Sequence, residues 1–282
     1  MSINDFWIIL TASLVALCCA IPGCFLVLRR MAMFGDAISH AVLPGLVVAY
    51  LISGSRASSV LLLGAAITGL LVTFIIEFIQ KKMRVQNDAA IGITYTFLFA
   101  VGVILISLFA GQTDLDQECV LYGEIAFVPF DTITLDSGLL LGPRQVWIAG
   151  GMLLILLIIL RIGYRGLYLT TFDAGYASTL GVSVLLWHYV LMGMVSLATV
   201  VSFESVGAIM VIAFLVGPAA TAALFAKRLP WMIAVAASIG VLSSIFGYIL
   251  AVVLNASVSG SIAVMIGVIF ALALLIKRFF PS

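Results

Sequence analysis

Arg29-Arg30-Met31-Ala32-Met33-Phe34-Gly35-Asp36-Ala37-Ile38-Ser39-His40-Ala41-Val42-Leu43-Pro44-Gly45 is the stretch that decides the fold class. Two arginines end one long apolar run, Phe6 to Leu28, and a second run over about 33–52 opens at once. Each has the roughly twenty apolar residues needed to cross a bilayer core. The second run carries a carboxylate and one of only two histidines in the chain. An Asp at the centre of a membrane helix costs about 2.5–3.5 kcal/mol on insertion scales, so its default reading is a functional group facing a cavity or partner. Asp36 and His40 stand four residues apart, which puts both on one helical face with Ser39 beside them. That face can present an oxygen and a nitrogen to one ion. The residues alone also admit a second reading, in which Asp36 is a helix N-terminal residue near the interface, favoured by the dipole and by Arg29 and Arg30.

The rest of the chain repeats the pattern. Of 282 residues, 64% are hydrophobic and 9% charged, with mean hydropathy +1.32, which excludes a soluble globular domain. The expected fold is all-α: a polytopic membrane protein with about eight or nine transmembrane helices in one domain over residues 1–282, with the lipid bilayer as its solvent. Net charge is +1 and the basic residues lie at segment ends, so no nucleic-acid partner is expected. Cys18, Cys19, Cys24 and Cys119 form no Cys-x-x-Cys pair, so neither a zinc ribbon nor a disulfide framework is indicated. The first apolar run lacks a positive n-region and reads as a retained span rather than a signal peptide.

Nine candidate spans run approximately over 6–28, 33–52, 58–79, 88–110, 145–163, 184–203, 206–226, 231–253 and 260–276; eight is the alternative, because Ser202 to Gly207 is a tight place for a full turn. If the segments alternate, all the Lys and Arg residues except Arg56 and Arg144 fall on one side. The excess marks the cytoplasm and puts the N-terminus outside and the C-terminus inside. An acidic connection, about 111–144, is then external and carries Asp114, Asp116, Glu118, Glu124, Asp131 and Asp136, which would concentrate cations at a pore mouth. A second connection, about 164–182, is cytoplasmic. Within it Phe172-Asp173-Ala174-Gly175-Tyr176-Ala177-Ser178-Thr179-Leu180-Gly181 has the composition of a short amphipathic helix suited to docking in another protein's groove. His188, in Trp187-His188-Tyr189, reads as an interfacial aromatic-belt residue, and Glu77 as a partner for Lys81 one turn away.

The run from Arg29 to Gly45 resembles the signature of the ABC permeases for manganese, zinc and iron uptake. Further stretches are similar to that family: Asp88-Ala89-Ala90-Ile91-Gly92-Ile93, Asp114-Leu115-Asp116 followed by Val120-Leu121-Tyr122-Gly123-Glu124-Ile125, Val206-Gly207-Ala208-Ile209-Met210-Val211, and Gly217-Pro218-Ala219-Ala220-Thr221-Ala222. Val258-Ser259-Gly260 departs from it, where a proline-containing turn is expected. The resemblance implies a transport subunit rather than an enzyme, in a bacterial cytoplasmic membrane. It further implies pairing with a second permease, the same or a different chain, power from two cytoplasmic ATP-binding subunits, and metal received from an external binding protein. No Gly-x-x-x-x-Gly-Lys-Ser/Thr motif occurs here, so ATP hydrolysis falls to a partner. On this reading Asp36 and His40 hold the metal in transit, and Phe172, Asp173, Ala177 and Gly181 belong to the ATPase-coupling segment. No permanently bound cofactor is called for, the metal being cargo.

Carboxylate plus imidazole suits Mn²⁺, Zn²⁺ or Fe²⁺, whereas a copper(I) path favours Cys and Met. Imidazole must be neutral to coordinate, so transport should weaken in acid. Zinc usually takes about four ligands, so another pair is expected from the second permease. The competing readings are a proton-coupled secondary carrier of divalent cations, with Asp36 and His40 as a relay, and a membrane-embedded hydrolase, which lacks a nucleophile set or a His-Glu-x-x-His helix.

Overall fold

Every long apolar segment becomes a helix because backbone in hydrocarbon must satisfy its own hydrogen bonds. The computed structural model describes residues 3–53, 58–109, 125–134 and 140–279. Its helices are α1 (Ile3–Leu28), α2 (Met33–Ala41), α3 (Leu43–Ser53), α4 (Ser58–Met83), α5 (Asn87–Phe109), α6 (Arg144–Phe172), α7 (Ala174–Thr179), α8 (Val184–Ala223), α9 (Leu229–Leu254) and α10 (Val258–Phe279). A 3₁₀ turn, Ile125–Phe130, and a two-stranded antiparallel ribbon, β1 (Thr132–Thr134) with β2 (Leu140–Pro143), lie between α5 and α6. Among the described residues, seven helical segments are long and apolar enough to cross a membrane, and Ala66–Gln80 and Ile209–Ala223 are shorter apolar helices. The protein is therefore an all-α polytopic membrane protein with about eight or nine spans.

α1 is the central helix. Its small buried residues Ala12, Ala16, Cys19 and Ala20 let α8, α9 and α6 pack against it closely. At Gly23 the approach is closest: a Cβ there would overlap the Leu215 carbonyl oxygen of α8. α9 runs antiparallel to α1, with Tyr248 Oη donating to Asp5 Oδ1 at 2.8 Å near one end and the Cys24 thiol 3.9 Å from the Met232 carbonyl near the other. A continuous core then joins Phe34 and Ile38 of α2, Val72 and Ile76 of α4, Ile91 of α5, and Phe214 and Leu215 of α8.

α8 is two segments. Ser202 sits beside Cys19, its Oγ 3.6 Å from Sγ, and Leu215 sits beside Gly23. Four residues of α1 span about 6 Å, whereas thirteen residues of straight helix would span about 20 Å. The chain must double back between them. It does so at Gly207, whose φ of 75° and ψ of 166° belong to a region essentially closed to residues with a Cβ. The tight turn over Ser202 to Gly207 is thus a reversal within a helical run, returning the chain to the α1 C-terminal end before α9 begins.

The cytoplasmic connection expected over about 164–182 is shorter than that. α6 continues as helix to Phe172, so only 173–183 connects it to α8. The drop in hydropathy after residue 163 marks a change of surroundings, while helix continues through Tyr164 stacked on Tyr168 and Tyr168 tilted against Phe172, with ring centroids 5.9 and 4.8 Å apart. Of the acidic connection, Asp114, Asp116, Glu118, Glu124 and Asp136 lie outside the described residues. Asp131 is exposed, and its carbonyl accepts a bond from the Arg144 N–H at 2.9 Å.

Candidate functional site

α2 has nine residues and two unlike faces. Phe34, Ala37, Ile38 and Ala41 point into the core, and Gly35 lets the Leu215 side chain close on the helix. Asp36 and His40 occupy the other face, with Asp36 Oδ1 and His40 Nε2 3.3 Å apart and both side chains a little over a quarter exposed. Ser39 departs from the sequence reading. It is buried and its hydroxyl donates to the Gly35 carbonyl at 2.9 Å, so it turns into the core rather than toward the pair. Beyond the pair Val42 stays in helical conformation, its N–H on the Ile38 carbonyl at 3.1 Å, so α2 and α3 run on as one span that lacks the bond Pro44, without an N–H, cannot return to the His40 carbonyl.

α5 supplies neighbours that sequence spacing did not single out. Phe99 meets the His40 ring edge-on at 5.8 Å, and Tyr95 lies at 6.0 Å. Their four-residue spacing was visible, yet in an apolar span it reads as lipid contact. Among the described residues no group of three or more His, Cys, Asp or Glu side chains gathers anywhere. Asp36 and His40 are therefore a two-donor arrangement, open on one side.

At the far end of α6 the short helix α7 projects from the bundle. Asp173 caps it, Oδ1 accepting from the Tyr176 N–H at 2.8 Å, as a short carboxylate does at an N-cap. Ala177 is its buried residue, while Phe172, Tyr176 and Leu180 are exposed. Gly181, at φ 77°, turns the chain toward α8, and the Val182 N–H closes the turn on the Ala177 carbonyl at 3.0 Å. The four residues singled out in the sequence thus hold different posts: Asp173 starts the helix, Ala177 pins it, Gly181 ends it, and Phe172 offers an apolar surface beside it.

Two polar anchors flank this segment. On the α6 side, Arg29 donates from Nε to Thr171 Oγ1 at 3.0 Å and from Nη2 to Thr170 Oγ1 at 2.9 Å. Burial lowers the Arg29 guanidinium to about 10, which still leaves it charged at neutral pH. On the α8 side, His188 Nε2 stands 3.0 Å from Glu77 Oε1 of α4, and Tyr189 Oη donates to Glu77 Oε2 at 3.1 Å. His188 is thus turned inward against a carboxylate, and the adjacent Trp187 packs on Gly163 and Gly166 of α6. The aromatic-belt reading of this triplet is replaced by helix packing. Glu77 reaches across to α8, a pairing 111 positions apart that no local spacing rule could have found.

Comparison with known proteins gives one consistent answer. Residues 4–277 match the ABC 3 transport family. The chain is 47% identical over 271 residues to the manganese transport system membrane protein MntD of Bacillus subtilis, covering 96% of this chain and 91% of that one. It is 40% identical to the zinc transport system membrane protein TroD of Treponema pallidum, covering 95% of this chain and 72% of that one. Among solved structures, PsaBC from Streptococcus pneumoniae in complex with Fab superposes with a TM-score of 0.79 at 32% identity, over 97% of this chain and 91% of that one.

Proposed function

The chain belongs to the ABC 3 transport family, and from that premise we propose that it is the permease subunit of an ATP-driven importer of divalent transition-metal ions, manganese or zinc foremost. The observation that carries the reading is the Asp36–His40 pair, 3.3 Å apart on a partly exposed face of α2. Carboxylate oxygen and imidazole nitrogen match the ligand preferences of both ions. The names of the relatives, manganese for one and zinc for another, support the same cargo class.

Two donors are too few for a closed shell, so the ion is held in transit by this pair together with a second permease chain packed against the open side. An incomplete shell also favours release, which a transport site requires. Imidazole binds the ion in its neutral form while the carboxylate lowers the electrostatic cost of shedding water. In this reading α7 docks on a cytoplasmic ATPase through Phe172, Tyr176 and Leu180, an external protein delivers metal at the opposite face, and the chain lies in a bacterial cytoplasmic membrane with its C-terminus inside. Iron remains within the chemistry of the donor set.

The test is uptake of radiolabelled Mn²⁺ and Zn²⁺ into vesicles holding the chain with its ATPase and permease partners. Uptake that requires ATP is the expected result. Uptake that ignores ATP and follows an imposed proton gradient would replace this reading with a secondary carrier.

A further inference from the structure

Both histidines of this chain stand against a carboxylate, and only one of those pairs lies on α2. The second, Glu77 with His188, joins α4 to the first turns of α8, directly after α7. Tyr189 holds the other carboxylate oxygen by a hydrogen bond, so both oxygens of Glu77 face α8. Across α7, Arg29 ties the last turn of α6 to the α1–α2 connection through both Thr170 and Thr171. α7 is therefore fixed at each flank by a polar anchor to a different part of the bundle.

Both anchors lead to α2. Arg29 stands four residues before α2 begins, and the intervening connection turns at Arg30, φ 58°, and is closed by the Met31 N–H bonded to the Leu26 carbonyl at 2.8 Å. Along α4, two turns from Glu77, Gly69 is pressed so tightly on α8 that a Cβ would overlap Ser196 Oγ, and the same Cβ would stand 3.5 Å from Ile38 of α2. Ile38 lies midway between Asp36 and His40 in sequence, on the core face of the same short helix. Packed helices joined at close glycine contacts move as rigid bodies rather than deform.

Building on the permease reading, we propose that Arg29 with Thr170 and Thr171, and Glu77 with His188 and Tyr189, are positioning residues that carry movement of α7 to the Asp36–His40 pair. They touch no cargo. Displacement of α7 shifts the last turn of α6 and the first turns of α8 together, and the two anchors pass that shift to α2 from opposite sides.

The test uses the complete transporter in proteoliposomes, measuring metal uptake per ATP hydrolysed beside equilibrium Mn²⁺ binding. Tyr189→Phe removes one hydroxyl, Glu77→Gln and His188→Gln break the pair, and Glu77→His combined with His188→Glu restores it in reverse. The single variants are expected to bind Mn²⁺ as wild type does while uptake per ATP falls about tenfold in Glu77→Gln and His188→Gln, less in Tyr189→Phe, with recovery in the swapped pair. Unchanged uptake per ATP in the single variants would overturn the inference, as would Mn²⁺ binding lost in step with uptake, which would make Glu77 and His188 ligands. If a single variant fails to assemble, Tyr189→Phe with normal coupling is the overturning result. A wild-type complex that couples no uptake to ATP would remove the permease reading itself, a different failure.

Discussion

Asp36 and His40 were legible as a pair because a helix fixes the direction of side chains four apart, while the cost of a carboxylate in lipid pointed to function and the helix N-terminal reading stood beside it. Glu77, His188 and Tyr189 were not, because the residues that partner them lie on another helix and only tertiary packing brings them together. Ser39 failed for a related reason: its neighbourhood to the pair in sequence did not decide which way its hydroxyl turned. At this scale His40→Ala is expected to cut Mn²⁺ uptake by more than the ~10-fold that outer-shell partners of metal sites carry, with chromatographic behaviour unchanged. Arg29 sits lower than an ordinary arginine because burial disfavours its charged form, yet at about 10 it stays protonated across neutral pH. Its anchor should thus hold across about pH 6–9, below that value, so wild-type uptake per ATP should show no fall toward the alkaline end of that window that Arg29→Lys fails to show. An alkaline loss present in wild type and absent in Arg29→Lys would contradict this.

The elements depend on a few close approaches. Gly207 reverses α8 at φ 75° and ψ 166°, and Gly207→Ala is expected to cost about 1–3 kcal/mol through strain alone, read as a lowered unfolding temperature in detergent. An unchanged temperature would mean that the reversal tolerates a Cβ. At Gly23 the obstacle is backbone: a Cβ would overlap the Leu215 carbonyl oxygen, which cannot swing aside as a side chain does. Gly23→Ala should therefore separate α1 from α8 and lower stability, whereas Gly150→Ala, with nothing within 4 Å, should leave it unchanged within measurement. The number of spans was legible to within one, from apolar length and the Lys and Arg pattern. The end of α6 was not, because helix outlasts the hydropathy signal where aromatic contact and Arg29 support it.

For the whole molecule, the partly exposed face of α2 that carries the pair is the informative one. Ile93, Phe97 and Ile104 of α5 are exposed on the side of that helix turned away from Tyr95 and Phe99, a face that suits lipid, whereas the two-donor site calls for a second permease over α2. A monodisperse single chain is accordingly expected to bind Mn²⁺ far more weakly than the assembled transporter. The most direct measurement is Mn²⁺ binding followed by electron paramagnetic resonance in the assembled, ATP-free transporter, comparing wild type with Asp36→Ala and His40→Ala. Transport passing through this pair predicts a bound signal in wild type that is lost in both variants while the complex stays intact. A bound signal that persists in both would place the cargo site elsewhere.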